Sequence, residues 1–195
     1  MRVAFRTDSN EVIGTGHIMR DIALAESLAA RGDKVRFVCR YVGEAQIDAI
    51  RRRGFALDLL PASGAGTIDP GNHSSWLGVS RQRDANETLA AVEAAGGTDW
   101  LFADHYGLDS NWHSRMRAAD CRIGVIDDLA DRQYDCDLLI DQGVADAPRL
   151  RYRGRVPLAA LLLNGPRFAL LRSEFRNARK TRNVRDGTVQ KVLVS

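Results

Sequence analysis

From Val3 to Arg20 the chain reads Val-Ala-Phe-Arg-Thr-Asp-Ser-Asn-Glu-Val-Ile-Gly-Thr-Gly-His-Ile-Met-Arg. Val3–Phe5 reads as a short strand, and the polar, glycine-containing run after it as a loop. Ile18, Ile22, Ala25, Leu28 and Ala29 then recur at helical spacing and give the following helix a buried face. Gly32 ends that helix. His17 and Arg20 fall in its first turn, where free N–H groups and the helix dipole both favour an anion. The opening unit therefore predicts an anionic, phosphorylated substrate beside a titratable imidazole.

The rest of the chain repeats the unit. Val35–Cys39, Phe55–Leu60, Trp100–Ala103, Ile123–Ile126 and Leu138–Ile140 read as strands, and Ala159–Leu163 is a further apolar run. Ala45–Arg53 and Asp84–Ala95 read as helices, ended by Gly54 and by Gly96-Gly97. Asp109 is placed to cap a helix through Ala119. Pro61 to Ser75 is broken by Gly64, Gly66, Pro70 and Gly71 and reads as a long loop. Strand–helix alternation predicts an α/β fold with a parallel sheet and helices on both faces. Asp8, Asp104-His105-Tyr106, Asp127-Asp128 and Asp141 all closely follow strands. In such sheets ligands bind beyond the strands' carboxyl ends, so these residues are expected to converge on one edge.

Bulk properties narrow the class. The 195 residues are 45% hydrophobic and 27% charged, with 28 basic and 25 acidic residues and a net charge of +3. That balance gives no argument for nucleic acid. Cys39, Cys121 and Cys136 form no CxxC pair and are odd in number, which suits a reducing compartment. Cys39 and Cys121 border apolar runs and read as small core residues. No segment approaches the roughly 20 apolar residues that span a membrane, and no signal peptide is evident, so a soluble, cytoplasmic protein is expected.

His17 is the leading catalytic candidate. At a helix N-terminus the dipole disfavours imidazolium, and a neutral imidazole can take a proton from water. Capping or space-filling under the loop is the competing role. Gly14 and Gly16 allow positive φ or close approach of a ligand to the backbone. The motif is neither a dinucleotide fingerprint nor a P-loop, since it lacks the third glycine and the Gly-Lys-Ser/Thr ending. Arg20 is placed either to hold a phosphate or to pair with Asp21 or Asp8. His105 and Tyr106 are placed to bond a sugar or to orient a water, with loop packing as the alternative. Asp104 and Asp127 read as helix caps or as braces for Arg6 or Arg20, and Asp128, Asp137 and Asp141 as caps or braces. No tight ligand spacing marks a metal site, and no cofactor is expected. The Arg172–Arg185 run reads as a solvated interdomain helix, and Val192–Ser195 as a strand that opens a further unit.

Five stretches also resemble a known family. They are Arg6–Ser9 with Ile13–Arg20; Trp76–Ser80 with Asp84-Ala85; Asp104–Asp109; Ile126–Arg132 with Cys136–Leu139; and Gly165–Arg172. They occur in order across nearly the whole chain and resemble the UDP-sugar hydrolases of pseudaminic acid biosynthesis. The resemblance implies a GT-B-like architecture of two Rossmann-like domains, of which residues 1–170 would be the N-terminal one. Residues 171–195 would be a basic linker and the first strand of a C-terminal domain that supplies the uridine contacts. It implies release of UDP and free sugar from a UDP-linked 2,4-diacetamido-2,4,6-trideoxy sugar, in a route leading to flagellin glycosylation. His17 would be the base for the attacking water. Asp8 and Tyr106 would lie at the sugar, with Gly14, Gly16, Arg20 and His105 as further substrate contacts. Two alternatives stand beside it: a GT-B glycosyltransferase using a nucleotide sugar, and an inactive truncated sugar-nucleotide-binding domain.

Overall fold

A computed structural model of the chain describes residues 1–62, 69–144, 148–181 and 187. Seven strands form one parallel sheet: β1 (Arg2–Thr7), β2 (Lys34–Cys39), β3 (Ala56–Leu59), β4 (Trp100–Asp104), β5 (Arg122–Ile126), β6 (Leu138–Asp141) and β7 (Leu161–Asn164). Their spatial order is β3-β2-β1-β4-β5-β6-β7. This is a Rossmann-like arrangement, and the order reverses between β1 and β4. A crevice therefore opens where the β1 and β4 chains leave the sheet in opposite directions.

Two-residue alternation divides the core between the faces. Val3, Phe5, Phe37 and Phe102 pack on one face with Ile18, Ile22 and Ala25 of α1 (Gly16–Ala29) and Ile50 of α2 (Glu44–Arg52). Phe5 stacks on Phe37 and on Phe102, each at 5.3 Å between ring centres, across three adjacent strands. Ala4, Leu101, Ala103 and Val125 face the other way. There they meet Ala85 and Val92 of α3 (Arg81–Ala94) and Trp112 and Met116 of α4 (Ser110–Met116). The remaining helices, α5 (Pro148–Arg151) and α6 (Ser173–Lys180), are short, and α6 is exposed along its length.

Most boundaries follow from local chemistry. Gly32 adopts φ +88° just after α1, a region open to glycine. Asp109 caps α4 by accepting from the Trp112 N–H at 3.1 Å, and a 3₁₀ turn, Arg117–Ala119, completes the expected span. Helix α3 begins three residues earlier than the apolar pattern suggests, because Ser80 accepts from the Arg83 N–H and caps it. The expected loop from Pro61 ends early in a 3₁₀ turn, His73–Leu77, capped by Asn72. Its residues 63–68 lie outside the described residues, as does the predicted strand Val192–Ser195. All three cysteines are buried and free.

Candidate functional site

The predicted polar residues all lie at the carboxyl edge of the sheet: His17, Arg20, Asp104, Tyr106 and Asp128 are linked beside the β1/β4 crevice, while Asp141 ends β6, two strands away. The loop after β1 is folded by its own side chains. Asn10 accepts from the Val12 and Ile13 N–H groups, and the Gly14 N–H returns to the Asn10 carbonyl at 2.8 Å. Gly14 takes φ +76° to close this turn. Thr15 precedes α1 without a side-chain capping bond. A Cβ built on Gly16 would meet nothing within 4 Å, so the start of α1 faces open space.

Behind that helix start sits a charged triplet. The Asp104 carboxylate, at the end of β4, accepts from His17 Nδ1 at 2.5 Å. It also accepts from Arg20 Nε at 2.6 Å and Arg20 Nη2 at 2.5 Å. Burial alone would raise the Asp104 carboxyl, but His17 and Arg20 hold it well below the usual carboxylate range. An ionised carboxylate only accepts, so the shared proton sits on His17 Nδ1. Nε2 is then the basic nitrogen left for other work, the orientation found wherever a carboxylate directs a histidine base. The Tyr106 ring meets His17 edge-on at 4.6 Å. Its hydroxyl donates to Asp128 Oδ1 at 2.5 Å, and burial first, then Asp128, pushes the phenol well above its ordinary range. His73 and Trp76 extend the wall, 5.1 and 5.7 Å from the Tyr106 ring.

Several expected contacts have different duties. Asp8 is wholly buried, and its oxygens accept from Arg6 and from the Arg40 and Tyr41 backbone N–H groups. It braces the β1 and β2 ends. His105 is buried too; its Nδ1 accepts from the Gly107 N–H at 2.9 Å, and burial lowers its pKa to about 4. It is therefore uncharged at neutral pH. Arg20 is committed to Asp104 rather than to Asp21 or Asp8, with Asp128 3.5 Å away. The His17 ring is only 5% exposed, less open than its reading as a base requires. A cavity of about 260 Å³ lies elsewhere, among Arg2, Lys34, Ala56 and Gly97 at the amino-terminal strand ends.

The sequence reading missed a second charged cluster under the β1 end. Arg6, on the face opposite α1, pairs with Asp8 at 2.7 Å and Asp84 at 2.6 Å, and Arg40 joins Asp84 at 2.9 Å. The Trp112 indole N–H also donates to Asp84, at 3.0 Å. An arginine alternating with Val3 and Phe5 in a strand was the available signal. Asp127 and Asp141 brace Arg132 and Arg151, both at contact distance, and Asp137 braces Arg117. Among the described residues no group of three or more histidines, cysteines and carboxylates is arranged to hold a metal, and no helix is long and apolar enough to cross a membrane.

The chain resembles a UDP-sugar hydrolase. It is 27% identical over 176 residues to the UDP-2,4-diacetamido-2,4,6-trideoxy-beta-L-altropyranose hydrolase of Campylobacter jejuni, across 90% of this chain and 53% of that protein. The chain thus spans about half the length of the curated relative it matches. No protein-family model matches. Among solved structures, Anabaena HepE in complex with UDP and glucose aligns with a TM-score of 0.49 at 13% identity, over 85% of this chain and 43% of that one. A 3-oxoacyl-(acyl-carrier protein) reductase from Brucella melitensis aligns with a TM-score of 0.42 at 13% identity, over 76% of this chain and 78% of that one.

Proposed function

We propose that the chain is the base-carrying part of a UDP-sugar hydrolase. Its reaction breaks the bond between the anomeric carbon and the UDP oxygen of a 2,4-diacetamido-2,4,6-trideoxy sugar. The observation that carries this is the Asp104–His17 pair, fixed beside an uncapped helix start at the β1/β4 crevice. UDP is a good leaving group, so the reaction needs a placed water, a base and positive potential near the departing phosphate. His17 Nε2 takes the proton of the attacking water. The open N–H groups of α1, reached past Gly14 and Gly16, face the phosphate. Tyr106, with His73 and Trp76, forms the wall against which the sugar rests. Arg20 serves by holding Asp104 rather than by touching substrate.

In this reading residues 1–170 are the N-terminal half of a GT-B-like pair, and 171–195 lead toward a C-terminal domain that binds uridine. The setting is the cytoplasmic synthesis of pseudaminic acid for flagellin glycosylation. The test is UDP release from the sugar nucleotide, by this chain and by a longer protein carrying the second domain, with the sugar product identified. Free sugar from the longer protein supports hydrolysis. Transfer of the sugar to an acceptor, or no turnover by either protein, overturns it.

A further inference from the structure

Aspartates stand at the carboxyl ends of β1, β4, β5 and β6, and all but one of them are committed to arginine. Asp8, Asp104, Asp127 and Asp141 have side chains at most 1% exposed, and each has an arginine nitrogen within 2.8 Å. The Asp128 side chain is 35% exposed. Its ion pair among the described residues is with Arg20 Nη1 at 3.5 Å, and Arg20 already gives two hydrogen bonds to Asp104. Its carboxyl group takes one hydrogen bond among the described residues, from the Tyr106 hydroxyl to Oδ1 at 2.5 Å. A carboxylate offers about four lone-pair sites, so most of the accepting capacity of Asp128 is unused. The same bond fixes what Tyr106 can offer. A phenol has a single proton, and this one is given to Asp128, which leaves the hydroxyl only lone pairs for a ligand. The Tyr106 ring meets His17 edge-on, so these acceptors stand beside the imidazole. The start of α1 offers the reverse. Thr15 makes no side-chain capping bond, and a Cβ on Gly16 would meet nothing within 4 Å, so backbone N–H donors are open there. One end of the site accepts and the other donates.

We propose that Asp128 is a specificity-determining residue that accepts a hydrogen bond from an N–H or O–H of the sugar lying on Tyr106, and so orients the sugar nucleotide. The proposal rests on the reading of the crevice as a UDP-sugar site. The acetamido N–H of a diacetamido sugar is a donor of the required kind. The charge of Asp128 turns the diphosphate away from this end and toward the α1 amides. A sugar with no donor at that position leaves the carboxylate desolvated without a partner, and the site rejects it. Bracing Tyr106 alone requires neither the exposure of Asp128 nor its spare lone pairs.

The test measures affinity for the sugar nucleotide and for UDP by calorimetry, on the longer protein with His17→Ala so that the sugar nucleotide stays intact. D128A is expected to weaken the sugar nucleotide about 10–100-fold, the range of a hydrogen bond to a charged group, and to leave UDP affinity unchanged. D128N keeps a carbonyl acceptor for Tyr106 but loses the charge, and is expected to fall between. Y106F keeps the ring and cuts its bond to Asp128, so it isolates loss of the brace. A D128A loss no larger than that of Y106F overturns the proposal, as does a loss shared equally by UDP. Wild-type affinity in both D128A and D128N overturns it as well. The two readings fail separately. UDP release that stops with His17→Ala, beside a sugar-nucleotide affinity indifferent to Asp128, removes this proposal alone. Release that persists with His17→Ala removes the base, and the Asp128 comparison is then read from KM in that protein.

Discussion

Asp84 shows how much the site depends on groups that never meet a ligand. Its carboxylate takes two arginines and an indole N–H beneath the β1 end, and Arg6 in turn holds Asp8. Removing one partner of a buried ion pair leaves an uncompensated charge, which costs roughly 3–5 kcal/mol. Asp84→Asn is expected to lose stability on that scale in urea unfolding. Burial opposes the Asp84 charge, but Arg6 and Arg40 hold its pKa at about 2 against an ordinary 3.8. Its contribution is therefore complete above the ordinary value and lost as pH falls toward the folded one, and the variant should lack that acid-side loss. Of this cluster, Arg6, Asp8 and Asp84 were named in the sequence but never joined, and Arg40 and Trp112 were not named. An arginine in a strand does not announce which carboxylates, 78 positions on in the case of Asp84, will meet it. His17 was legible because helix-start chemistry is local. Its partner Asp104 comes from 87 positions away, and only the strand order brings the two together.

At the scale of elements, the legible features were those set by short-range patterning. Strand alternation, the Gly32 stop and the Asp109 cap each act within a turn or two. The early start of α3 was less visible, because the Ser80 cap carries no apolar signal. The close packing of β4 on β5 was not visible at all. Gly124 pairs in register with Phe102, and a Cβ there would stand 2.5 Å from that ring. Phe102 in turn closes the aromatic stack over Phe5. Gly124→Ala is expected to displace the ring and cost about 1–3 kcal/mol of overpacking, read by thermal unfolding. Ring-current-shifted resonances of Phe5 and Phe102 should move with it. An unchanged melting temperature would contradict the packing described.

For the whole molecule, the strand order β3-β2-β1-β4-β5-β6-β7 does the positioning. It puts the helix start after β1 and the carboxylate ending β4 on the two lips of one crevice, which is where open α/β sheets take ligands. The imidazole, the directing carboxylate and the open amides are all present in a chain spanning about half its curated relative. What completes the pocket above His17 is, in this account, the second domain. The most direct test is the rate of UDP release by the longer protein, wild type against His17→Ala, at saturating sugar nucleotide. A lost general base lowers that rate by about 10²–10⁴-fold, with the fold and UDP affinity retained. Release by His17→Ala at the wild-type rate would contradict the account.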